Sequence, residues 1–271
     1  MMQWKVRVLR REQAIFFRGK QPSDDDLLKY GRSVPPPDSS KDAKYKHNDK
    51  MVAVVNVDYN VLCVKRKDLH TTLVGPDGEV CYMNDTVLQA RVAHIAEDLR
   101  RHPNGLHVFS TTLYQQMCGE EGTTYSYDAV ASHTRKTVKK RKLMGHDAVD
   151  VFSFGRLVIP INISRNHWVA VVVHFGEQRF EYLDSLHGTT HSARLCAICC
   201  KNIHQWLIDE SNDKNGEPVA GFGAWSVVEN MGIPKQKNLY DCGVCVVVLV
   251  ERLSKGQAIE GEGVEDYFPE G

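Results

Sequence analysis

A polar loop, Pro234 to Asn238, leads through Asp241-Cys242-Gly243 into the apolar run Val244 to Val250, and this junction constrains the fold more than any other feature of the chain. Residues Cys242 to Leu253 read as a helix that is apolar nearly all round, and such a helix must be enclosed by other elements. The run is only about seven residues long, against the roughly 20 that a membrane-spanning helix needs. The enclosing elements therefore have to come from the rest of the chain, and no membrane partner is expected.

Strands rich in β-branched and aromatic residues are available to enclose it. Arg156 to Ile163, Trp168 to Phe175 and Arg179 to Leu183 fit this description, and Gly176-Glu177-Gln178 between the last two predicts a hairpin. Asn84 or Asp85 can cap a helix carrying Leu88, Val92, Ile95, Ala96 and Leu99 at helical period, and His102-Pro103-Asn104-Gly105 ends it. A second helix over Ser192 to Asp209 places Leu195, Cys199, Ile203 and Trp206 on one face. Helices and strands do not alternate as a βαβ series, so the expected class is α+β. Near the start, Trp4, Val6 and Val8 alternate with polar residues as in a half-buried strand, and Ala14 to Phe17 can extend or pair with it. From Pro22 to Lys50 the pattern dissolves into Asp24-Asp25-Asp26, Pro35-Pro36-Pro37 and a polar run, as in a linker or long loop. A division follows: an extension over residues 1–50, then a compact domain over 51–271 opening with a strand at Val52 to Val57.

Composition narrows the function classes. Apolar residues make up 42% of the 271 and charged residues 25%, which is ordinary for a globular chain. Lys and Arg total 34 and so do Asp and Glu, so a chain-wide field for polyanions is not expected. Met1 to Phe17 interleaves charges with its apolar residues, unlike a secretory signal. The 8 cysteines are too sparse for a disulfide scaffold. They read as reduced thiols, and the expected location is intracellular, in nucleus or cytoplasm.

One constellation has chemical content. Cys242 stands where a loop becomes a helix, so its sulfur lies near the positive helix end, which favours thiolate. A cysteine nucleophile needs a base, and the base needs a group that fixes its tautomer. His167 enters one predicted core strand and Asp184 leaves the next, so a hairpin brings them to one sheet end. Gln236, on the loop before Cys242, adds an amide donor suited to an oxyanion. Taken singly, each residue is more simply a structural cysteine, a polar strand end or a surface amide.

Taken together, His167-Trp168, Asp184-Ser185 and Gln236-Lys237-Asn238-Leu239-Tyr240-Asp241-Cys242-Gly243 resemble, in that order, the catalytic pattern of the Ulp/sentrin-specific protease family. These are cysteine peptidases acting on SUMO and related ubiquitin-like modifiers. Lys67-Asp68-Leu69 and Met83 to Val87 are similar to the family's entry segment, and Val151-Phe152 with Ile159 to Asn162 to the segment before its histidine; the likeness runs from about Lys67 to Leu253. It implies a papain-like α+β fold, a mixed sheet with the nucleophile at the N-terminus of a buried helix. It also implies Cys242 as nucleophile, His167 as general base and acid, Asp184 orienting His167, and Gln236 as oxyanion donor. Trp168 would wall a narrow channel for the modifier's Gly-Gly tail. Where the family has Trp-Leu-Asn-Asp this chain has Tyr82-Met83-Asn84-Asp85, so Tyr82 becomes the second wall, with Asn84 and Asp85 beside it. The implied activity is cleavage after a modifier's Gly-Gly, SUMO first, by a monomer without cofactor or metal. Alternatives are a deneddylase or deubiquitinase with the same triad, or a non-catalytic modifier-binding module, against which the intact set argues.

Other signals are weaker. Cys196, Cys199, Cys200 and His204 have short metal-type spacing, but a second ligand pair is not evident and Cys199 lies among core residues. Cys242 and Cys245 have redox-motif spacing without the surrounding βαβ pattern. The basic run Arg135 to Lys142 reads as a solvated helix face rather than a nuclear localisation signal or nucleic-acid patch, since no aromatics interleave with it. The acidic tail (Glu260, Glu262, Glu265, Asp266, Glu270) is expected to be disordered or loosely docked.

Overall fold

The computed structural model describes residues 51–57, 60–65, 68, 83–134, 149–216, 222–261 and 264–267. The strand expected near Trp4, the linker, Tyr82 and the basic run lie outside these residues.

Two strands, β1 (Met51–Val57) and β2 (Asn60–Lys65), pair antiparallel, and β1 begins where the compact region was expected to begin. The main sheet has the order β3 (Leu106–Val108), β4 (Arg156–Ile163), β5 (His167–His174), β6 (Arg179–Leu183) and β7 (Ser226–Glu229). β4, β5 and β6 form antiparallel neighbours, while β3 and β7 each join an edge in parallel, so the sheet is mixed. Helices and a mixed sheet that do not alternate as a βαβ series make up the α+β class expected.

The sheet is covered on both faces, which is why β4 and β5 read as nearly continuous apolar runs rather than as alternating ones. Val158, Trp168, Ala170, Val172 and Leu183 face α1 (Asp85–Arg101) and α4 (Cys242–Ser254). Leu157, Ile159, Val169, Val171, Phe180 and Tyr182 face α2 (Thr112–Cys118) and α3 (Thr190–Asn215). The apolar helix α4 is thus closed in by α1 and the sheet, as its composition demands.

Local chemistry fixes the ends of these elements. Asn84 caps α1 by accepting the Val87 amide at 3.0 Å, and Arg100 and Arg101 lie in the last turn, where they complement the helix dipole. Thr189 caps α3 through the Ser192 amide, and Gly216 ends it with φ 76°, a left-handed geometry that favours glycine. α3 therefore exceeds the predicted Ser192 to Asp209 at both ends. Its last turns are polar, yet Glu210 is buried, receiving Tyr127 Oη at 2.8 Å and pairing with Lys214 Nζ at 2.6 Å. The turn from β4 to β5 passes through Ser164 and Arg165 at φ 53° and 56°, and it delivers His167 to the start of β5. The acidic tail differs from expectation: Ile259 and Val264 are buried against the α1–α4 core, and Glu260 accepts from Asn230 Nδ2 at 2.6 Å. These two apolar residues dock a segment whose charges alone suggest solvent.

Candidate active site

At one end of the β5–β6 hairpin, His167 opens β5 and Asp184 follows β6 directly. His167 Nε2 and Asp184 Oδ1 are 2.8 Å apart, so the predicted pairing is present. Cys242 also acts on the His167 ring electrostatically. Asp184 is 1% exposed, and besides His167 it accepts from the Leu186 amide (2.8 Å), Ser192 Oγ (2.9 Å) and Tyr182 Oη (3.4 Å). Burial would raise the Asp184 pKa, but the hydrogen bond and charge of His167, with the Leu186 and Ser192 donors, lower it below the usual carboxylate value. Burial likewise would lower the His167 pKa. The hydrogen bonds to Asp184 and Cys242, followed by their charges, outweigh it and raise the pKa to about 9. The geometry therefore favours an imidazolium at neutral pH.

Cys242 is the first residue of α4 and is 1% exposed. Asp241, at the N-cap, makes no side-chain cap bond; its Oδ2 accepts from Asn238 Nδ2 at 2.7 Å. The positive helix end thus meets the sulfur without a capping oxygen between them. Gln236 is 7% exposed: its backbone N–H donates to the Ser185 carbonyl at 3.0 Å, and its Oε1 accepts from Ser185 Oγ. One hydrogen of Nε2 goes to the Asn238 carbonyl, and an amide nitrogen carries two. The loop before Cys242 is thereby tied to the residue after Asp184.

Trp168 is 5% exposed and lies beside Gly243, with Met83 on the same glycine. The stretch that follows Tyr82 thus reaches the residue after Cys242, though Tyr82 itself is outside the described residues. Asn84 and Asp85 are engaged structurally. Asn84 caps α1 and donates to Asp68 Oδ1 at 3.0 Å, while Asp85 accepts from Asn162 Nδ2 at 2.8 Å, bracing α1 against the end of β4. Sequence reasoning missed Ser192 and Tyr182 as partners of Asp184. The one available signal is the Thr189–Ser192 spacing, which places Ser192 in the first turn of a helix that starts just after Asp184.

Three further cysteines, those of α3, lie on the other face of the sheet from Cys242. Cys196, Cys199 and Cys200 are buried in the α3 side of the core, where burial pushes the Cys199 thiol up to about 12. Among the described residues no three His, Cys, Asp or Glu groups converge as a metal site. Cys245 is fully buried, and burial pushes its thiol up.

Residues 81–263 match the model of the Ulp1 protease family, C-terminal catalytic domain. The chain is 27% identical over 178 residues to the ubiquitin-like-specific protease ESD4 of Arabidopsis thaliana, covering 65% of this chain and 33% of that protein. It is 26% identical over 202 residues to sentrin-specific protease 5 of Homo sapiens, covering 74% and 22% respectively. The match thus spans about a third or less of these two relatives. The fold is similar to that of the C-terminal Ulp1 protease domain solved in complex with SMT3, the yeast ortholog of SUMO, with TM-score 0.52, 16% identity, and coverage of 84% of this chain and 89% of that one. It is similar also to a SUMO protease Ulp1 with its catalytic cysteine oxidized to a sulfinic acid, with TM-score 0.53, 16% identity, and coverage of 76% and 79%.

Proposed function

This chain belongs to the Ulp1 protease family, and from that premise we propose that it is a cysteine peptidase cleaving after the C-terminal Gly-Gly of a ubiquitin-like modifier, SUMO in the first instance, from conjugates or precursors. The observation that carries the proposal is His167, hydrogen bonded to Asp184 at 2.8 Å, together with its interaction with Cys242 at a helix head. Near-complete burial of Cys242 supports the substrate class, because a thin chain without side chains reaches such a sulfur with the least displacement of its surroundings. The names of the curated relatives point the same way.

In this mechanism the Cys242 thiolate attacks the carbonyl carbon of the terminal glycine, and the carbonyl oxygen takes up the negative charge. The second Nε2 hydrogen of Gln236 stabilises that oxyanion. The His167 imidazolium gives its proton to the leaving amine as the C–N bond breaks, which leaves a thioester. Neutral His167 then takes a proton from water, the hydroxyl adds to the thioester, and Cys242 departs as thiolate to restore the starting pair. Asp184 holds the ring and its charge throughout. Trp168 and Tyr82 wall the tail channel, and Asn84 and Asp85 support it through α1. The setting is intracellular, nuclear or cytoplasmic, and the enzyme acts as a monomer.

Electrophilic probes built on SUMO, on the neddylation modifier and on ubiquitin, each ending in Gly-Gly, test the reading. The SUMO probe should form an adduct that Cys242→Ala removes. Adduct with one of the other probes alone would reassign the modifier, and labelling of a folded protein by none would overturn the function.

A further inference from the structure

The turn after Asp184 contains a buried histidine that the mechanism does not use. His187 is 4% exposed, its backbone N–H donates to the Asp184 carbonyl at 2.9 Å, and its ring Nε2 lies 2.9 Å from the carbonyl oxygen of Ile233. A carbonyl only accepts, so Nε2 carries the proton and Nδ1 is the bare nitrogen. That Nδ1 is buried and makes no hydrogen bond among the described residues. Packing does not account for an imidazole here, since an apolar side chain would fill the space without enclosing an unused lone pair. The donor to Ile233 does account for it. Ile233 precedes Pro234, which has no N–H, and the same short stretch runs on to Gln236.

We propose that His187 is a positioning residue that sets the height of the Gln236 loop against the Asp184 turn. The Leu186 amide of this turn holds the Asp184 carboxylate at 2.8 Å, and the His187 ring of the same turn holds the Ile233 carbonyl. The group that orients the base and the loop that carries the oxyanion donor therefore share one support. Ser185, between them, completes it by accepting from the Gln236 N–H and donating to its side chain. Loss of the His187 donor frees the Ile233 carbonyl, and the loop relaxes at the end where, among the described residues, no other hydrogen bond ties its backbone to the turn. The inference rests on the reading of Gln236 as oxyanion donor.

The experiment compares His187→Leu, which removes the donor, with His187→Gln, which returns an N–H at a similar reach, in the full chain. His187→Leu should lower kcat by about tenfold, a fraction of the hundredfold or more expected when an oxyanion donor is lost outright, with KM unchanged. His187→Gln should restore most of kcat. In a Gln236→Ala background His187→Leu should have no further effect on kcat. A full additive loss in that background, an unchanged kcat, or a change in KM alone would overturn the assignment. Amide exchange at Gln236 provides a readout independent of substrate: the N–H bonded to Ser185 should exchange faster in His187→Leu and return to wild-type protection in His187→Gln. Unchanged exchange sinks the positioning role even if the peptidase reading stands. A wild type that labels with no modifier probe sinks the peptidase reading and leaves the exchange result to decide the His187 contact by itself.

Discussion

Trp168 Cδ1 stands 3.2 Å from the point that a Cβ on Gly243 would occupy, and Leu88 Cδ1 and the Met83 Cβ each stand 3.3 Å from it. A side chain at the glycine after Cys242 would press on all three groups. Gly243→Ala has to move the indole or α1, and overpacking of this kind costs about 1–3 kcal/mol. Denaturant unfolding should show that loss, with a fall in kcat because the displaced groups flank Cys242. A variant as stable and active as wild type would mean that the contact yields freely.

Within the triad the expected order of severity follows from role. Cys242→Ser should abolish turnover while the circular dichroism spectrum and modifier binding stay as in wild type, since a hydroxyl is not ionised by this pair. Asp184→Asn should be milder than His167→Ala, because it leaves a base in place. Single-turnover rates in the reverse order would assign the roles wrongly.

For Gln236→Ala, kcat should fall by about a hundredfold with little change in KM, as for a group that acts only on developing charge. A pure KM effect would move Gln236 to substrate binding.

The pH dependence follows from His167. Its pKa is raised to about 9 in the fold, above the roughly 6.5 of an unfolded histidine. The stabilisation it supplies is full below the unfolded value and is lost as pH rises through about 9. The difference in melting temperature between wild type and His167→Gln should be constant below about pH 6.5 and shrink towards pH 9. The alkaline limb of kcat/KM should fall in the same region, at lower pH in Asp184→Asn. A melting difference that grows with pH would contradict the pairing.

Away from the site, Gln89 of α1 is buried, donating from Nε2 to Ser110 Oγ at 2.6 Å and accepting the Thr111 amide on Oε1 at 2.9 Å. Gln89→Leu takes the acceptor from the buried Thr111 amide, while Ser110 Oγ keeps Thr112 at 2.8 Å, and should cost about 1–3 kcal/mol, with kcat/KM per folded molecule unchanged. Calorimetry with active-site titration separates the two quantities.

Much of this arrangement is legible in the sequence because it is local. Asn84 caps the helix it precedes, and the Gly176-Glu177-Gln178 turn brings His167 to Asp184. The apolar run after Cys242 also declares itself buried. β3 and β7 escape such a reading: they are three and four residues long and join the sheet in parallel through distant partners. Their short segments carry no periodicity to detect. Asn84 and Asp85 have polar side chains that suit either a substrate or a helix start, and only the partners Val87, Asp68 and Asn162 separate the two uses. Ser192 reaches Asp184 through the packing of α3 against β6, and beyond the Thr189–Ser192 spacing nothing local encodes that hold, whereas Tyr182 reaches it from two residues upstream.

The order of these parts along the chain also bears on biosynthesis. A ribosome releases β4, β5 and β6 before α4, so histidine and aspartate can meet in their hairpin while the cysteine has yet to be made. Until α4 packs between α1 and the sheet, Cys242 is apart from both His167 and the core that buries it. On the proposed mechanism the nucleophile is therefore the last part of the site to be made, and the site is assembled only when the end of the domain has folded onto the hairpin.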